Sequence, residues 1–94
     1  MDNRLLLINL YDIYKNLLTD KQQAYFEDYY YNNLTLQEIS DFYSISRNAI
    51  HKVVKETEEK LVSYEEKLLL HQRFSQVKLL TKDLVISKQI EEII

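Results

Sequence analysis

Residues 18–68 read LTDKQQAYFEDYYYNNLTLQEISDFYSISRNAIHKVVKETEEKLVSYEEKL, and their inner part, Leu36 to Val54, decides the fold. There the apolar residues Ile39, Tyr43, Ile45, Ile50 and Val53 fall at the spacing of two short helices joined by a turn. Ser40 is small where two crossed helices must touch. This is helix-turn-helix spacing. Such a unit pushes its second helix outward, in most cases towards nucleic acid.

Capping signals extend the reading in both directions. Thr35-Leu36-Gln37-Glu38 is a capping box that opens a short helix ending near Tyr43. Ser44-Ile45 makes the turn, and Ser46 caps the next helix. Nothing in the sequence stops that helix before about Gln72, which predicts a rod of ~40 Å at 1.5 Å per residue. Upstream, Thr19-Asp20-Lys21-Gln22 is another capping box, opening a helix over Asp20–Tyr31. Asn32-Asn33 is the best available stop, since Asn tolerates the left-handed conformation. Asp2 caps a first helix over Asn3–Leu18. In the tail, Phe74 to Ile94, Thr81 and Ser87 are the candidate caps. The expected organisation is a helix-turn-helix domain over residues 1–73 and a helical tail over 74–94, packed on the domain or on a second subunit.

Composition agrees with an all-α fold. The 94 residues include no Gly and no Pro, so long helices are favoured and tight hairpins are hard to form. The absence of Cys removes disulfides, thiolate catalysis and zinc–thiolate sites. No signal peptide and no membrane span are read, so a cytoplasmic protein is expected. The Asn33-Leu34-Thr35 glycosylation sequon is discarded on that ground. The net charge of −3 is unusual for a free-standing nucleic-acid binder, because phosphate neutralisation supplies most of the affinity of such proteins.

On the helix that starts at Ser46, Ile50, Val53, Val54, Thr57 and Leu61 share an inward face. Arg47, Asn48, His51, Lys52 and Lys55 take the outward one. From Ser46 to Lys55 the only formally charged side chains are the cations Arg47, Lys52 and Lys55. Arg and Asn read guanine and adenine edges, and Lys neutralises phosphate. The candidate nucleic-acid contacts are therefore Ser46, Arg47, Asn48, His51, Lys52 and Lys55. The bland alternative is a three-helix packing motif with a solvated outer face. The tyrosines at 29, 30 and 31 read as a half-buried face joining helices rather than a base-stacking platform, with Tyr31 off the stripe.

Val54, Leu61 and Leu68 lie seven apart, as do Thr57, Tyr64 and His71. This short heptad seam pairs with a second copy or folds back on the first helix. A homodimer is favoured, because a monomer leaves the tail leucines poorly covered. His51 and His71 are expected on one helix, more than five turns apart, and cannot share a metal. No catalytic constellation, cofactor site or metal site is read.

The motifs LLTDKQ, LQEIS, ISRNAI, KETEEKL and YEEKL together carry a family resemblance. Thr35 to Leu61 is similar to the promoter-reading fourth region of bacterial sigma factors. The stretch from Leu6 to Leu69 resembles the YlxM-like family of small helix-turn-helix proteins, typically encoded beside the signal recognition particle GTPase. The resemblance implies a sigma-region-4-like fold and a regulatory or accessory role in the signal recognition particle pathway. Its partners would be DNA or the particle's RNA, and the GTPase. It puts the contact positions at Arg47, Asn48 and His51. Ser40 stands where the family usually has Ala, and Ser44 where the turn usually has Gly. A non-Gly residue in the left-handed region costs ~1 kcal/mol or more, which predicts a loose turn. The competing class is a protein-interaction module that uses the stem, Glu58 to Gln72, and the tail without nucleic acid.

Overall fold

A computed structural model describes residues 3–81, with side chains to Val77. The described residues form α1 (Asn3–Tyr14), α2 (Asp20–Tyr30), α3 (Leu36–Tyr43), α4 (Arg47–Leu68) and α5 (Leu70–Thr81). A 3-10 turn over Lys15–Leu17 follows α1. The expected caps at Asp2 and Ser87 lie outside these residues, while Thr81 is the last residue of α5 rather than a cap.

The local signals act as the sequence implies. Thr19 Oγ1 accepts from Gln22 N at 3.2 Å, and Gln22 Oε1 accepts from Thr19 N at 3.0 Å. Thr35 and Glu38 repeat this reciprocal pair at 3.1 and 2.9 Å. Ser46 Oγ accepts from Ala49 N at 3.1 Å. Asn33 is the left-handed residue after α2, with φ 55°.

α4 is the spine, packed against α1, α2 and α3. Its Ile50, Val54, Thr57 and Leu61 are buried, with Val53 half-buried beside them. Thr57 does not leave a polar orphan in this face: its hydroxyl donates to Val53 O at 2.8 Å. α1 contributes Leu7, Leu10, Tyr11 and Tyr14 at helical spacing, and α2 contributes Tyr25, Phe26 and Tyr30. The Tyr11 and Phe26 rings stack at 4.4 Å, as do those of Phe26 and Tyr30. The seam of Val54, Thr57 and Leu61 thus folds back within the chain and is not available to a second copy.

Carboxylates are woven into this core through tyrosine. Tyr14 donates to Glu65 Oε1 at 2.7 Å, Tyr31 to Asp12 Oδ1 at 2.7 Å and Tyr43 to Asp28 Oδ2 at 2.8 Å. Tyr11 and Tyr30 donate likewise to Glu27 and Glu58. Burial, then these hydrogen bonds, push the Tyr11, Tyr30 and Tyr31 hydroxyls well above the ordinary tyrosine range. Tyr31, expected off the stripe, is exposed, but its ring sits edge-on to Tyr11, so it ties α1 to α2.

The expectation of one helix to Gln72 is corrected. α4 ends at Leu68, and Leu69 is left-handed at φ 55°, ψ 31°. A bulky residue there is disfavoured by ~1–2 kcal/mol. The Glu65 carboxylate supplies the offsetting contacts by accepting from His71 N and Gln72 N, both at 3.1 Å, at the start of α5. Tyr14 Oη adds an acceptor for Leu70 N at 3.2 Å. An acidic group at a helix N-terminus also complements the macrodipole. As a result His51 and His71 lie on different helices, not one.

Candidate nucleic-acid interface

The first turns of α4 are presented by a tight corner. α3 ends with Ser44 left-handed at φ 56°, ψ 42°, and Ser44 N donates to Ser40 O. Ile45 N also donates to Ser40 O, at 3.2 Å. The Ser40 hydroxyl returns a hydrogen bond to Ile45 O. Ser40 therefore closes the turn from both sides. The Ser40 hydroxyl thus offsets the left-handed conformation of Ser44.

Ser46, Arg47, Asn48, His51, Lys52 and Lys55 are all exposed. At 100° per residue the five helical ones span an arc of about 140°, opposite the buried Ile50–Leu61 face. Their Cα positions span about 12 Å along the axis, comparable with the width of a DNA major groove. The patch ends abruptly at Glu56, Glu58 and Glu59. Lys55 lies at that border, sharing a hollow with Glu58 and Glu59.

Sequence reasoning missed a second basic element. A cleft of about 480 Å³ is lined by Arg4, Asn33, Thr35, Gln37 and Arg47, among others. Arg4 is held there by Nη2 donating to Tyr30 O and to Asn33 Oδ1, each at 2.7 Å. Its guanidinium also lies 4.9 Å from the Tyr30 ring centroid. The signal was a cation in the first turn of a helix, where its own macrodipole repels it. An Arg at that position points to a partner elsewhere, here the C-terminal carbonyls of α2.

Several acidic residues are engaged by tyrosines rather than by the cations of this face. Asp12, Glu27, Asp28, Glu58 and Glu65 accept from tyrosines between helices. Five of the fifteen acidic residues thus help to hold α1, α2, α3 and α4 together.

Comparison with known proteins adds a family. Residues 1–94 match the model of UPF0122, described as "Putative helix-turn-helix protein, YlxM / p13 like". A UPF0122 protein of Oceanobacillus iheyensis is 50% identical over 74 residues, covering 78% of this chain and 70% of that protein. One from Bacillus pumilus is 47% identical over 73 residues, covering 78% and 66%. One from Anoxybacillus flavithermus is 48% identical over 67 residues, covering 71% and 61%. The match to this chain thus spans roughly two thirds of each of these relatives.

Proposed function

Because the chain belongs to the UPF0122 family of YlxM- and p13-like helix-turn-helix proteins, we propose that it is a non-enzymatic regulator that docks nucleic acid on the start of α4. The observation that carries this reading is the exposed arc of Arg47, Asn48, His51, Lys52 and Lys55, bordered by acids only at its Lys55 end and fixed by the Ser40–Ser44 corner. Phosphate attraction to Lys52, Lys55 and Arg47 positions the molecule, and Arg47 with Asn48 reads base edges. Arg4 and Gln37 line the cleft beside Arg47. Ser46, as the helix cap, fixes where the arc begins.

The proposed target is the RNA of the signal recognition particle in the cytoplasm, with its GTPase as protein partner. The sequence resemblance leaves DNA, such as a promoter-like duplex, as the alternative target. A small patch suits a ribonucleoprotein, where protein contacts add to modest electrostatics. No helix among the described residues is long and apolar enough to cross a membrane. We also propose a homodimer. Exposed Leu17, Leu68 and Leu69 favour a protein contact near the α4–α5 junction.

Arg47→Ala combined with Lys52→Ala tests the face. In a low-salt anisotropy titration, binding to the particle's RNA should fall at least about tenfold, one tenfold step being 1.4 kcal/mol. Unchanged binding would reject the assignment. The competing protein-interaction reading predicts no binding to RNA or duplex at low salt, together with capture of the GTPase by the stem.

A further inference from the structure

The α4–α5 junction holds two competing preferences in one segment. Residues 46–72 contain no Gly or Pro, so local propensity favours one continuous helix. The fold instead breaks at Leu69, a bulky residue in the left-handed region. What holds the break is a small set of groups: Glu65 Oε1 and Oε2 accepting from His71 N and Gln72 N, and Tyr14 Oη accepting from Leu70 N. Burial alone would raise the Glu65 carboxyl. The hydrogen bonds from Tyr14, His71 N and Gln72 N, with the His71 ring nearby, bring it below its usual value.

The fold-back seats α5 against α1, where Ile13, Leu70 and Phe74 are only half-buried. A groove of about 630 Å³ remains between the two helices, lined also by Asp12 and His71. Around the junction, Leu68 is 43% and Leu17 53% exposed. These two belong to one region, since Tyr64, one turn before Leu68, donates to Leu17 O at 3.3 Å. A one-residue strained hinge, a loosely filled groove and an uncovered apolar rim are the conditions under which an element changes partner.

We propose that two copies pair by exchanging α5. Leu69 returns to helical geometry, α4 and α5 become one rod, and α5 of each copy occupies the α1 groove of the other. The groove is complementary to that occupant because it already holds the same helix. In the straightened form His71 N and Gln72 N bond to the carbonyls of Lys67 and Leu68, so no donor is stranded. Glu65 keeps Tyr14 as its partner. The arrangement is reciprocal and closed, as a two-fold pair requires. It rests on the homodimer proposed above and supplies its mechanism.

The absence of native Cys makes cross-linking unambiguous. One full-length chain carries Ile13→Cys and another Phe74→Cys. They are mixed, allowed to equilibrate and treated with a short bismaleimide. Exchange predicts a covalent pair containing one of each chain, with no such product when Phe42→Cys on α3 replaces Phe74→Cys. Leu69→Gly relieves the left-handed penalty and weakens the rod, so it should shift each chain about five- to thirtyfold towards the closed form and reduce the pair accordingly. The proposal is overturned if a single chain carrying both Ile13→Cys and Phe74→Cys links only internally and the mixture yields no pair. It is also overturned if neither product forms, since α5 would then not lie on α1. Sedimentation of the wild-type chain separates the two failures. A dimer without cross-linked pairs leaves the homodimer standing and removes the exchange, whereas a monomer at every concentration removes both.

Discussion

Ser44 and Leu69 occupy the same backbone region, and each is held by a different kind of neighbour. Ser44 is held by a residue four positions earlier, because Ser40 accepts from two backbone donors and donates to Ile45 O. Replacing Ser44 by Gly removes the side-chain penalty without touching those bonds. Ser44→Gly should therefore raise the unfolding free energy by about 1 kcal/mol in urea titration. Ser40→Ala should lower it by about 0.5–1.5 kcal/mol, since the Ile45 carbonyl loses its hydroxyl donor. A neutral Ser40→Ala would mean that the corner does not depend on the hydroxyl. Ser44 was legible in the sequence as a turn residue. The role of Ser40 was not, because its small size alone explained its place at the helix crossing.

At the scale of elements, three helix starts were readable because a cap and its partner lie within four residues. Thr19, Thr35 and Ser46 all accept from the backbone three positions on. The end of α4 was not readable. Its cause is Tyr14, more than fifty positions upstream of the break, meeting Glu65 from another helix. The tyrosine–carboxylate pairs were hidden for the same reason. Tyr14→Phe should cost about 1–3 kcal/mol, because Leu70 N and Glu65 both lose a partner. Amide exchange should speed up at Leu70, His71 and Gln72 while the centre of α4 stays protected. Equal acceleration along all of α4 would contradict a local latch.

At the scale of the molecule, the pairing of tyrosines with acids sets limits at both ends of the pH range. The Glu65 carboxyl is depressed in the folded chain. Its contribution is therefore complete above the unfolded carboxylate value and is lost as pH falls through the lower folded one. The tyrosine shifts run the other way. The hydrogen bond to Asp28, then burial, push Tyr43 from 10.0 up to about 12, and Tyr14 is raised by burial and Glu65. Their contribution is complete below 10.0 and disappears as pH rises through the folded values. Ultraviolet titration of the native chain should thus show the tyrosinate of Tyr11, Tyr14, Tyr30, Tyr31 and Tyr43 appearing late and together with unfolding. Titration of those five near 10.0 with helix content intact would contradict the paired network. The fold class was legible from composition and caps. The placing of five acids against tyrosines between helices was not, because those partners are far apart in the chain.

The salt dependence of binding to the signal recognition RNA tests the central claim most directly. With Arg47, Lys52 and Lys55 on phosphates, the logarithm of affinity should fall against the logarithm of salt with a slope of about −2 to −3, single-stranded and duplex segments giving about 0.7 to 0.9 per contact. Arg47→Ala with Lys52→Ala should bring that slope close to −1. A flat plot for the wild-type chain, or the same slope in the variant, would contradict polyanion docking at the start of α4.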